Sequence, residues 1–206
     1  MNTKTFSQES RRNLLEGTSK RLLYWGFNED GSSTEQPQAI TGGYSFRGKV
    51  YDDPQVPTLW NKLRIAVNTH GIDVVIEKAA YTWFNRIIAL RILSKNEYEK
   101  SELEYVEGMT LTPHILQRAR QGKFSFLSKT EQERLQKIIT GYSKDQEAFA
   151  ILLIGFCHSH PTLKRVFGGI DDYTELLLPD NILQESGFLH LLNTTDAISD
   201  EEYQKV

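Results

Sequence analysis

The segment from Ile72 to Leu93 constrains this chain more than any other. Ile72, Val75, Ile76, Ala79, Ala80, Trp83, Ile87, Leu90 and Leu93 recur at the helical period, which sustains an α-helix for about six turns. Its apolar stripe is wide, so the helix must be covered on more than one side and belongs at the centre of a domain. Other segments offer it helical neighbours. Phe6, Leu14, Leu15, Leu22 and Leu23 mark an amphipathic helix over Thr5 to Leu23, and Leu59, Leu63 and Val67 mark another over Thr58 to Asn68, stopped by Gly71.

Further along, Thr112-Pro113 predicts a helix start, with Thr as cap and Pro at the first helical position, running to about Gly122. Ser128 or Thr130 opens the next, ending near Gly141. Ser143 with Gln146 forms a capping-box pattern ahead of Phe149, Leu152, Leu153 and Phe156. Phe188 to Leu192 suggests one or two helical turns more. Ser199 with Glu202 makes another capping box, yet few residues follow it. A helix that short is marginal in water, so the expectation is a chain cut inside an element, a fragment of something longer.

Residues 25–57 differ. Gly26, Gly31, Gly42, Gly43, Gly48, Pro37, Pro54 and Pro57 break any long helix there. Tyr44, Phe46 and Val50 alternate with smaller or polar residues, which fits one short strand or an extended arm able to move or to reach a partner. The predicted fold is therefore all-α, a multi-helix bundle of six to eight helices in one domain over 1–206, with an irregular arm at 25–57 and room for a minor hairpin.

Composition narrows the function. Ten Phe, nine Tyr and three Trp in 206 residues can fill a sizeable core, which excludes general disorder. No apolar run approaches the length of a membrane span, the first residues lack the pattern of a secretory signal, and Cys157 is the single cysteine. These features fit a protein of the reducing cytoplasm with no membrane partner. A net charge of −3 argues against binding nucleic acid by bulk electrostatics alone. Local basic groups remain: Arg11, Arg12, Lys20 and Arg21 near the start, Arg86 on the central helix, and Arg118, Arg120 and Lys123 beyond it. All eight are candidate contacts to a DNA backbone, which position a protein without reading sequence.

There is no Pro-Pro, so no Asn-Pro-Pro-Tyr loop for methyl transfer to an exocyclic amine, and Pro179-Asp180-Asn181 reads as a loop. Thr41-Gly42-Gly43-Tyr44 is the one dense glycine site; it follows no buried strand and reads as a turn, not as a cofactor loop. Cys157-His158-Ser159-His160 brings ligand types together, but His70, His114 and His190 are scattered and give no second pair for zinc. Cys157 falls on the apolar side of its helix and should behave as a small hydrophobe. Carboxylates such as Glu102 and Glu104 read as a solvated acidic face. Arg91, inside an apolar run, needs a carboxylate or carbonyl partner, because an unpaired buried guanidinium is costly. No catalytic, cofactor-binding or metal-binding residue is assigned.

The stretch Ala80-Tyr81-Thr82-Trp83-Phe84-Asn85-Arg86, followed by two hydrophobic residues and then Ala89-Leu90-Arg91, resembles the amino-terminal signature of the large adenine-specific DNA methyltransferases of BREX phage-defence systems (PglX). More distantly it is similar to fused type II restriction enzyme methylase subunits. Lys4 to Leu15, with Arg11-Arg12, and Phe149 to Asn181, running into Ile182-Leu183, share the resemblance, with Cys157-His158 departing from an expected Cys-Asn. The resemblance implies a parent enzyme that transfers a methyl group from S-adenosylmethionine to adenine N6 of double-stranded DNA in a restriction–modification or BREX system. The chain would then be its helical amino-terminal domain, partnered by the catalytic domain of the same polypeptide. Tyr81, Trp83, Phe84, Asn85, Arg86 and Arg91 would be signature residues with a structural role. The alternative is a non-catalytic docking module for other defence-complex subunits or for a phage inhibitor.

Overall fold

The computed structural model describes residues 2–141, 144–167 and 172–205. The order is α1 (Thr3–Tyr24), β1 (Gln38–Ile40), β2 (Gly43–Phe46), β3 (Lys49–Tyr51), α2 (Val56–His70), α3 (Ile72–Lys95), α4 (His114–Arg120), α5 (Lys129–Gln136), α6 (Asp145–Ser159), α7 (Pro161–Phe167), a 3₁₀ turn (Tyr173–Leu177), α8 (Phe188–Thr194) and α9 (Asp200–Gln204). The chain is mainly helical. In residues 25–57 the minor hairpin for which the sequence left room is present and extended to a three-stranded antiparallel sheet of order β1-β2-β3, in place of an irregular arm.

The sheet forms because its turns suit it. Arg47 and Gly48 both adopt positive φ, at 50° and 72°, which is the type I′ geometry that matches strand twist in a two-residue hairpin. Tyr44 and Phe46 then point to the same side and are buried against Trp25. The arm is thus pinned by its aromatic residues, whose burial offsets the backbone cost of its glycines.

α3 occupies the centre, as its stripe demands. α1 packs along it, α2 and the 3₁₀ turn cover its first half, and α7 and α9 touch it farther on. Two apolar clusters result. One joins α1 and the later part of α3 to α4, α5, α6 and α8 around Trp83, Leu116, Phe149 and Phe188. The other joins the sheet, α2, the start of α3 and the 3₁₀ turn around Trp25, Phe27, Trp60 and Leu63. Gly71 serves both as the end of α2 and as the start of α3, at φ 86° and ψ 158°, a conformation that needs glycine.

All three tryptophans donate their indole N–H to a backbone carbonyl. Trp25 bonds Leu176 at 2.7 Å, Trp83 bonds Thr174 at 2.9 Å and Trp60 bonds Trp25 at 2.9 Å. Two of the three therefore clamp the 3₁₀ turn, where the Leu176 carbonyl also accepts from Arg21 Nε at 3.3 Å.

Ser128 and Ser199 form complete capping boxes with Glu131 and Glu202. Ser143 lies outside the described residues. Pro113 is the cap of α4 and not its first helical residue, because Pro113 bridges Tyr105 in extended geometry and His114 N–H donates to the Glu104 carbonyl at 2.9 Å. α9 is short but anchored: Tyr203 is buried, its carbonyl accepts from Asn96 at 3.1 Å, and Gln204 donates to the Lys95 carbonyl at 3.0 Å. Tertiary packing supplies what so few residues cannot.

Candidate functional site

The signature segment on α3 reaches in several directions. Trp83 is fully buried and its ring carries the Arg86 guanidinium at 4.9 Å. Phe84 packs on Phe188 of α8 with ring centroids 5.4 Å apart. Arg91 pairs with Glu104 at 2.9 Å and donates to Asn193 at 3.4 Å, which meets the requirement for a partner. Asn85 is half-buried, and Tyr81 stands 69% exposed. The segment is a structural hub that ties α3 to the 3₁₀ turn, α8 and the 97–111 loop.

Arg86 is 4% exposed, so it lies inside the protein and presents no surface to a phosphate. Burial pulls its pKa below the ordinary guanidinium value, and the charges of Glu175 and Asp172 oppose that pull. The other basic candidates are distributed over two separate neighbourhoods. On α1, Arg11 pairs with Glu77, Lys20 with Glu16 at 2.6 Å, and Arg21 stacks on Tyr24 at 4.3 Å with Asp180 3.8 Å away. At α4, Arg118 pairs with Glu102 at 2.6 Å and Arg120 with Asp145 at 2.5 Å. Arg12 and Lys123 are exposed.

Glu102 and Glu104 do not form the solvated face expected of them. Glu102 is buried against Arg118, and Glu104 sits between Arg91 and Lys95. Burial works against ionisation of Glu104, but the Lys95 hydrogen bond and the Arg91 and Lys95 charges outweigh it and hold the carboxyl below its ordinary value. The 97–111 loop is therefore a charged strap that turns Glu102 and Glu104 inward and leaves Glu97 and Glu107 exposed.

The Cys157 to His160 segment is dismantled by its neighbours. His158 Nε2 lies 2.5 Å from Glu175 and His160 Nε2 lies 3.0 Å from Glu99, while Cys157 is buried. Among the described residues no three of His, Cys, Asp and Glu group around a metal position. Burial pushes the Cys157 thiol up to about 12, so thiolate is scarce at neutral pH. Ellman's reagent at pH 8 should leave native protein unlabelled and titrate one thiol only after unfolding; rapid native labelling would contradict this burial.

The Glu175 hydrogen bond raises the His158 pKa; burial opposes it, Glu131 adds to it and Arg86 subtracts. A raised folded pKa means that this contribution is complete below the unfolded value of about 6.5 and disappears as pH climbs through the folded value. His158→Gln should cost about 1–2 kcal/mol at pH 6, the low end for a hydrogen bond to a charged group because water screens the third of the side chain that is exposed, and much less at pH 9. Urea unfolding at both values checks this, and an equal loss at both would refute it.

A groove of ≈ 1330 Å³ opens between β3 with its exit loop and the α5–α6 pair. Trp25, Ile151, Ile154 and Leu176 give it apolar lining. Ion pairs from Asp53 to Arg134 (2.7 Å) and from Asp52 to Lys137 join its walls. Sequence reasoning missed it because the walls come from distant segments; the one local hint was the density of aromatic residues between Tyr24 and Trp60. The Gly42–Gly43 turn is not a ligand cradle. It joins β1 to β2, and the space that a Gly43 side chain would take is filled by the Tyr51 carbonyl.

No described helix is long and apolar enough to cross a membrane. No protein-family model matches the chain. It is 27% identical over 215 aligned residues to the adenine-specific methyltransferase BrxX of Escherichia coli O9:H4 (strain HS), an alignment that covers 100% of this chain and 17% of that protein. It is 31% identical over 127 residues to the adenine-specific methyltransferase PglX of Lacticaseibacillus casei (strain Zhang), covering 56% of this chain and 11% of that protein. The chain thus spans a small part of the length of the curated relatives it matches. Along its whole length the chain is similar to BrxX, and over about half of it to PglX, both adenine-specific methyltransferases.

Proposed function

We propose that this chain is the helical, non-catalytic amino-terminal domain of an S-adenosylmethionine-dependent adenine-N6 DNA methyltransferase of a BREX or restriction–modification system. There it braces the catalytic domain and lends contacts to the DNA backbone. The observation that carries this reading is the alignment of the whole chain with only 17% of BrxX. The methyl donor and the flipped adenine would be handled elsewhere in the polypeptide; the glycine turn here does not fit the donor.

The clamp rests on Arg11, Arg12 and Lys20, which share one helix and face water. The ion pairs of Arg11 with Glu77 and of Lys20 with Glu16 are solvent-exposed and exchange readily for phosphate. Arg118 and Arg120 are engaged in half-buried pairs and serve the scaffold. Duplex DNA at low salt should bind weakly, with a log–log salt slope of about −2.7 for three neutralised phosphates. The triple alanine variant of Arg11, Arg12 and Lys20 should abolish it. Fluorescence anisotropy checks both, and no affinity at low salt would remove the clamp while leaving the scaffold.

The net charge of −3 favours a second reading, docking of other defence-complex subunits or of a phage inhibitor. Crosslinks confined to the catalytic domain of the same polypeptide would exclude it.

A further inference from the structure

Each basic residue of the clamp has an acid beside it. Along the outer stripe of α1, Glu9, Arg12, Glu16 and Lys20 follow one another at spacings of three and four residues, so opposite charges alternate for about three turns. Lys20 Nζ donates to Glu16 Oε1 at 2.6 Å. The Lys20 hydrogen bond and charge, with the Arg12 charge behind them, hold the Glu16 carboxyl below its ordinary value, so Glu16 is ionised at neutral pH and serves both bases. Arg11 sits on the flank of that stripe and is met from the neighbouring helix, where Glu77 of α3 pairs with it. α1 and α3 pack along one another, which brings these two residues together.

A phosphate that takes Lys20 or Arg11 does not remove the acids. Glu16 and Glu77 stay about one helical-neighbour spacing away, about 5–6 Å, and then lack their partners. That is shorter than the Debye length of about 10 Å at 0.1 M salt, so their repulsion of the phosphate survives ordinary screening. Both side chains are about half exposed, so neither is needed to fill the core.

We infer that Glu16 and Glu77 form an autoinhibitory mask on α1, two carboxylates that hold its affinity for a phosphate backbone at least tenfold below what Arg11, Arg12 and Lys20 would give unopposed. The inference rests on the clamp reading and adds its regulation. Neutralising the two acids raises affinity without adding a contact to DNA.

The test titrates a fluorescein-labelled duplex of about 20 base pairs with the 206-residue chain at low salt and reads anisotropy. Glu16→Gln with Glu77→Gln keeps the side-chain length and a hydrogen-bonding oxygen at both positions; far-UV circular dichroism confirms that it folds. It should bind at least tenfold tighter than the unsubstituted chain, and the gain should fall below twofold at about 0.5 M salt. Glu107→Gln with Glu133→Gln removes the same two charges at exposed positions on the 97–111 loop and α5, and should leave affinity within twofold. Equal gains for the two pairs would assign the effect to the net charge of −3 and overturn the mask. So would unchanged affinity in Glu16→Gln with Glu77→Gln when the unsubstituted chain binds, an outcome that leaves the clamp standing. No binding by any of the three proteins would overturn clamp and mask together.

Discussion

Trp83→Ala should cost about 5 kcal/mol, a large part of the stability of an ordinary domain. The indole is fully buried at the midpoint of α3. Truncating a buried aromatic to alanine costs about 3–5 kcal/mol in transfer and cavity terms. Two further losses attach to this ring. The Thr174 carbonyl gives up its 2.9 Å donor, and the buried Arg86 guanidinium gives up the face on which it lies. Urea unfolding followed by circular dichroism measures the change. Trp83→Phe keeps most of the packing and the ring face but removes the donor, so it should cost only about 1–2 kcal/mol. If Trp83→Ala costs less than about 2 kcal/mol, the hub is not where the structure places it.

Gly17→Ala should destabilise the protein by about 2 kcal/mol, although helix propensity favours alanine by about 1 kcal/mol at such a position. Gly17 lies inside α1 where the Pro179–Asn181 loop crosses it, and its carbonyl accepts from Asp180 N–H at 3.0 Å. A β-carbon there would collide with Asn181 Oδ1 and stand 2.7 Å from Pro179 Cβ. Asn181 cannot yield freely, because it is buried and its amide donates to the carbonyls of Asn13 and Ser186 at 3.1 and 3.2 Å. Overpacking of this kind costs about 1–3 kcal/mol and outweighs the propensity gain. A rise in the thermal midpoint of Gly17→Ala would show that the loop stands off the helix.

The two variants mark different routes from sequence to fold. The Trp83 position could be read from spacing alone, since it sits in the stripe that runs from Ile72. Gly17 gave no such signal: a lone glycine in a helical pattern looks like a weak point until the loop that needs it is seen. The candidate site shows the same division. Arg86 looked like a phosphate contact and is buried on Trp83, while Glu102 and Glu104 looked like surface charge and brace Arg118, Arg91 and Lys95. The glycine- and proline-rich arm looked open and folds into a sheet through Tyr44 and Phe46.

By itself, then, the sequence determined the long central helix, the Ser199 cap, a helix start at Ser128 or Thr130, the Gly71 break and the resemblance carried by Ala80 to Arg91. Each is written in neighbouring residues, because helical period and capping are local physics. Tertiary structure alone decided which charges are buried, how the aromatic arm closes, and that a groove opens between the sheet and the α5–α6 pair. Those outcomes depend on partners brought from far along the chain, such as Thr174 for Trp83 and Glu175 for His158, and desolvation is set by whatever arrives.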